Sequence, residues 1–268
     1  MRRRDVIIGG ASRNPRNTYM AAVSGMYGSP SDPKSTRRFN GASPRENLFD
    51  GVMNQPAIPL ANATHNPFYF KNKHDVDSTN VWKQTAVGSG TPLVCLDGRG
   101  GRAKATNGAT DNNYYFYESL YEIARLTSST HLHIRGTIEI ADVDQADWFW
   151  GLCARLASGN LFDNRVDAVG LYGADGSANI NAECRKNGTA TPATALDTLT
   201  DATEMVVGVH IIGTAEAYFY TEDEAGYRSI VRTNLPDDEE MCVSFGCRNG
   251  QGVANSLTVG QINLLQDA

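Results

Sequence analysis

Ten consecutive residues, His131 to Ile140, constrain this chain more than any other feature. Leu132, Ile134, Ile138 and Ile140 occupy alternate positions, and His131, His133, Arg135, Thr137 and Glu139 fill the places between them. A period of two puts alternate side chains on opposite faces of an extended strand, so this segment predicts one core face and one wet face. Asp147 to Arg155 repeats the pattern with Trp148, Trp150 and Leu152, and Ala178 to Arg185 with Ile180, Ala182 and Cys184. Between them lie Asp167 to Tyr172 and a turn at Gly173-Ala174-Asp175-Gly176, and Lys186-Asn187-Gly188 closes a hairpin. Glu204 to Ile212 is apolar at both parities, as a central strand covered on both faces requires. Ala217 to Thr221, Tyr227 to Thr233, Met241 to Arg248 and Ser256 to Leu265 continue the series. The only helical candidate is Glu118 to Leu126. About ten to twelve strands without a helical period imply two packed antiparallel sheets over residues 69–268, an all-β jelly roll or related sandwich.

Residues 1–68 follow no period. Pro15, Pro30, Pro33, Pro44, Pro56, Pro59 and Pro67 interrupt the backbone, so the segment is expected to be an extended, irregular N-terminal arm. Its apolar residues nevertheless profit from burial, which suits an arm that lies against a neighbour. Residues 1–60 hold nine Lys and Arg against four Asp and Glu, while the remainder holds fifteen against twenty-six. A basic arm on an acidic body points to an acidic partner surface. The candidate partner-binding residues are therefore Arg2, Arg3, Arg4, Arg13, Arg16, Tyr19, Tyr27, Arg37, Arg38 and Phe39.

The search for reactive groups returns little. A glycosidase needs two carboxylates across its substrate, yet Ala141 and Val143 stand where a partner of Glu139 would sit on its own strand. Asp142, Asp144 and Asp147 crowd one loop, but the glycine and distal glutamate of a calcium loop are missing. His131 and His133 share a strand face without an assignable third metal ligand. The run Gly98-Arg99-Gly100-Gly101-Arg102-Ala103-Lys104 lacks the Gly-Lys-Ser/Thr of a phosphate loop, and no Gly-x-Ser-x-Gly occurs. Five scattered cysteines, Cys95, Cys153, Cys184, Cys242 and Cys247, lack zinc spacing and read as free thiols of a reducing compartment. Cys242 and Cys247 should point to opposite faces of one strand. No apolar stretch suits a membrane span, and the basic residues lack the interleaved aromatics of a specific nucleic-acid surface. Neither metal nor cofactor is expected, and the chain reads as a non-enzyme. Tyr114-Tyr115-Phe116-Tyr117 and Tyr218-Phe219-Tyr220 are candidate platforms for sugar rings, with at most half of each run available.

The stretches Asp147-Trp148-Phe149-Trp150-Gly151-Leu152, Asn160-Leu161-Phe162-Asp163-Asn164-Arg165-Val166-Asp167-Ala168-Val169-Gly170-Leu171-Tyr172, Asp175-Gly176-Ser177 and Arg185-Lys186-Asn187-Gly188-Thr189 resemble the head-associated structural proteins of tailed bacteriophages. The resemblance covers residues 90 to 265. It implies a concanavalin-like jelly-roll sandwich acting as a capsid decoration or cement protein that binds the major capsid protein, stabilises the shell, self-associates, and resides on the virion after synthesis in the host cytoplasm. The alternative is a receptor- or carbohydrate-binding, lectin-like protein of the tail or fibre.

Overall fold

A computed structural model describes residues 63–68, 75–78, 80–96, 101–221 and 227–267. The ten candidate arm residues, from Arg2 to Phe39, lie outside them. The described residues form eighteen strands, β1 to β18 in chain order, in two antiparallel sheets. The first described strand, β1 (Ala63–Phe68), falls before Tyr69 and pairs with β18 (Ile262–Asp267).

In the first sheet β7 (His131–Ile140) is the central strand. On one side it pairs with β13 (Met205–Ile212), followed by β14 (Glu216–Thr221) and β15 (Tyr227–Val231). On the other side it is shared. One end of β7 pairs with β17 (Ser256–Val259), then β4 (Ala103–Asn107) and β3 (Gly90–Cys95), and its other end pairs with β18. Pro92 sits in β3, an edge strand with a register shift between Thr91 and Val94, where a missing amide proton is tolerated.

The second sheet runs β11 (Thr189–Ala190), β10 (Asn179–Lys186), β9 (Ala168–Gly173), β8 (Ala146–Ala154), β16 (Glu240–Asn249), β5 (Tyr114–Ser119) and β2 (Trp82–Val87). The short β12 (Thr194–Thr198) joins β10, and β6 (Ala124–Arg125) joins β16. Glu118 to Leu126 is therefore not helical: it contains the end of β5 and all of β6, because pairing with β16 outweighs weak local helix preference.

The alternation read from the sequence decides the core. Leu132, Ile134, Ile138 and Ile140 of β7 meet Trp148, Trp150 and Leu152 of β8, all fully buried between the sheets. The break in the β7 pattern has a steric cause, since a Cβ at Gly136 would stand 3.0 Å from the Trp150 ring. Trp82, Phe245 and Tyr117 pack together, with ring centroids 4.9 Å and 5.4 Å from that of Phe245. The Tyr117 hydroxyl accepts the Leu93 amide at 2.7 Å, joining β5 of one sheet to β3 of the other. Lys186-Asn187-Gly188 makes the anticipated hairpin, with positive φ at both Asn187 and Gly188.

Candidate functional site

The outward face of the second sheet carries polar and aromatic groups from six strands. Strand register sets Glu183 of β10, Gly170 of β9, Gly151 of β8, Ser244 of β16, Glu118 of β5 and Lys83 of β2 in one row across the sheet. The next row is Asn181, Tyr172, Phe149, Gly246, Phe116 and Thr85. Small residues thus make a low line through the middle, and aromatic rings border it. A Cβ on Gly170 would stand 2.7 Å from Phe149, so glycine is what lets that ring lie flat against the sheet.

A second apolar cluster covers this line. Leu156 and Leu161, from the connection between β8 and β9, pack with Tyr114, Phe116, Phe149, Cys153 and Ala168, while Phe162 and Tyr172 stay half-buried at its margin. The connection is held by charge as well. At its start Leu156 N donates to Glu118 Oε1 at 2.9 Å, Lys83 Nζ pairs with Glu118 at 3.0 Å, and Lys83 also donates to the Leu156 carbonyl. At its end Arg165 pairs with Glu183 at 3.0 Å, and its guanidinium lies 4.9 Å from the Phe149 ring centre. In between, Asp163 pairs with Arg248, which also holds Asp147 of β8. Burial works to raise the Glu183 carboxyl, but hydrogen bonds and charge from Arg185 and Arg165 outweigh it and leave Glu183 below the ordinary carboxylate value. The Arg248 hydrogen bond lowers Asp163 in the same way. Both are ionised acceptors at neutral pH.

The outward face of the first sheet is different. His133 of β7 lies directly opposite His210 of β13, with ring centroids 5.9 Å apart, and both are buried. His133 is therefore not the solvent-facing group that strand alternation implied. Tyr220 lies over Gly208 and its hydroxyl meets His133 Nε2 at 2.7 Å. Among the described residues, His133 Nδ1 and both nitrogens of His210 have no hydrogen-bond partner. Burial, followed by the charge of His131, lowers His210 to about 4, and burial with His210 and Arg135 lowers His133 well below its ordinary value.

Glu139 pairs with Arg102 at 3.1 Å on the first sheet. Asp142 to Asp147 surround a single 3-10 turn, Val143–Gln145, in which Val143 N donates to Asp201, and burial together with Asp144 and Asp201 raises Asp142. Among the described residues no group of three or more His, Cys, Asp or Glu side chains is arranged to hold a metal ion, and no helix is long and apolar enough to cross a membrane. Cys242 faces outward opposite Cys153, and Cys247 faces the core opposite Trp148, as their spacing required. The aromatic platforms fail: Tyr115, Tyr117 and Phe219 are core, and Tyr114, Phe116, Tyr218 and Tyr220, which face outward, are covered as well. Periodicity missed the side chains that matter most on the second sheet, because Leu156, Leu161, Phe162 and Arg165 belong to a connection. Their signal was a loop rich in large apolar and charged residues where small polar ones are usual.

No family model and no curated protein sequence matches the chain. Solved structures do. An endo-1,3-β-glucanase from Streptomyces sioyaensis superposes with a TM-score of 0.54 at 9% identity, covering 80% of this chain and 100% of its own. A protein of unknown function from Shewanella oneidensis MR-1 gives 0.54 at 13% identity, covering 84% of this chain and 95% of that one. The potassium-bound carbohydrate recognition domain of Emp46p gives 0.51 at 8% identity, covering 74% and 95%. The fold is thus the concanavalin-like antiparallel sandwich expected from the sequence. The expectation of a non-enzyme is overturned, because the same fold carries a glucanase. The carboxylate search behind that expectation was confined to one strand, whereas Glu118, Asp147 and Glu183 share an outward face from three different strands, each paired with a basic side chain.

Proposed function

We propose that the protein recognises carbohydrate on the outward face of its second sheet, with Tyr172 at the centre of the contact. The observation that carries this reading is the partly exposed Tyr172 ring beside a glycine-lined row, with the amide of Asn181 directly across on β10. Sugars present an apolar C–H face and a fringe of hydroxyls, which aromatic rings and planar amide or carboxylate groups match. The substrate class is suggested by the glucanase and the carbohydrate recognition domain that share the fold. The test is titration of the full chain with a panel of neutral oligosaccharides that includes β-1,3-glucans, together with a reducing-sugar assay for turnover. Binding lost in Tyr172→Ala, with circular dichroism unchanged, is the expected result, and a panel without a single binder refutes the reading.

The virion reading is a second proposal, favoured by the charge contrast between residues 1–60 and the rest of the chain. Attachment to the major capsid protein as a self-associating decoration protein predicts salt-sensitive cosedimentation with capsids. Cosedimentation that is unchanged after deletion of residues 2–60 removes the role given to that segment.

A further inference from the structure

We infer that the connection spanning residues 155–166 is a strap that closes the low line on the outward face of the second sheet, and that it lifts to admit a chain of sugar units. The inference rests on the carbohydrate reading above and concerns the regulation of that same face.

Four observations lead to it. The floor is built from Gly170, Gly151 and Ser244, with the Phe149 ring lying against Gly170. Leu156 and Leu161 of the strap fill it, while Ala157, Ser158, Gly159, Asp163, Asn164 and Val166 are exposed. The strap holds its own shape: Asn160 Oδ1 accepts the amides of Phe162 and Asp163, Asn164 N donates to the Asn160 carbonyl, and Arg165 donates to the carbonyls of Leu161 and Phe162. It can therefore move as a unit, with Gly159 at φ +84° providing a bend that other residues resist.

Beside the contacts of Leu156 and Leu161 with the sheet aromatics, its attachments are charged groups at three points. Lys83 and Glu118 hold one end through the backbone of Leu156, Arg248 holds the tip through Asp163, and Glu183 holds the other end through Arg165. Glu183 keeps a second partner in Arg185 at 3.1 Å, so its charge stays compensated when Arg165 leaves. A latch whose buried half remains paired after opening is one that can open without leaving a naked charge on the sheet. Tyr172 belongs to β9 and keeps its partly exposed ring with the strap closed, so a short ligand would meet Tyr172 in either form, and the open form would extend the contact along the floor toward Phe149 and Phe116.

The experiment compares wild-type full chain with Arg165→Gln by hydrogen–deuterium exchange of residues 155–166 and by titration with oligosaccharides of increasing length. The expected result is at least tenfold faster strap exchange with the amides of β8 and β9 unchanged, and tighter binding of long oligosaccharides with little change for the shortest. Faster strap exchange with no length-dependent gain means that the strap does not gate the face, which overturns this inference and leaves the carbohydrate reading intact. Unchanged strap exchange overturns the latch. Absence of binding by either protein refutes the carbohydrate reading and the gate with it. Asp163→Asn, which loosens only the exposed tip, gives the same readout if Arg165→Gln does not fold.

Discussion

Acid should weaken the first sheet through His210. The imidazole is buried opposite His133, neither of its nitrogens has a hydrogen-bond partner among the described residues, and its pKa falls to about 4. In the unfolded chain it returns to about 6.5. Between these values the unfolded chain binds a proton that the folded protein refuses, so stability is complete above pH 6.5 and declines as pH falls toward 4. The shift corresponds to a loss of about 2 kcal/mol at pH 5 and about 3 kcal/mol by pH 4 from this group alone. For a domain of this size a loss of about 2 kcal/mol lowers Tm by roughly 4 to 8 °C. His133 is lowered as well and adds loss of the same sign. Carboxylates titrate in the same window, so the informative quantity is a difference: thermal unfolding of wild type and His210→Phe, followed at pH 7, 6, 5 and 4.5. The variant should lose less stability on acidification than wild type. Parallel curves would refute the argument that a buried, unpartnered imidazole sets the acid limit of this sheet.

Three further outcomes are expected. Trp150→Ala removes one of the largest fully buried side chains and should cost about 3 to 5 kcal/mol in urea unfolding. Gly170→Ala drives a methyl to 2.6 Å from the Trp150 carbonyl and 2.7 Å from Phe149, and should cost about 1 to 3 kcal/mol while disturbing exchange in the strap above it. Glu183→Gln leaves Arg165 buried without its carboxylate, and a loss of about 3 kcal/mol in chemical denaturation is expected, against under 1 kcal/mol for exposed Glu240→Gln.

Strand identity was legible wherever a segment alternates cleanly, as in β7 and β8, because the period of two depends only on which residues are neighbours along the chain. The same reasoning located the Asn187-Gly188 turn and the doubly covered β13. It failed where pairing partners decide. Ala63–Phe68 carries Pro67 and reads as a loop, yet it forms a strand along β18. Glu118 to Leu126 reads as a helix in isolation, but β16 supplies ladder partners at both of its ends. The candidate site was the least legible part. Glu183 and Glu118 share a row only because β9, β8 and β16 lie between β10 and β5, an order that no local pattern encodes. The same order places them roughly 19 Å apart at the backbone, too far for a carboxylate pair acting on one glycosidic bond.

The middle strands of both sheets come late in the chain, and this has a consequence for biosynthesis. β17 lies between β7 and β4, and β16 lies between β8 and β5. On the ribosome, β7 has to wait for β17 while more than a hundred further residues are made, a delay of roughly 6 to 25 s. Throughout that interval one side each of β4 and β7, and until β16 is made one side each of β5 and β8, present unpaired backbone to the cell, which is the template that strand-to-strand aggregation uses. Soluble yield should therefore depend on translation rate and chaperone supply more steeply than the stability of the finished sandwich would suggest, and slower growth temperature should rescue core variants that are lost at fast expression.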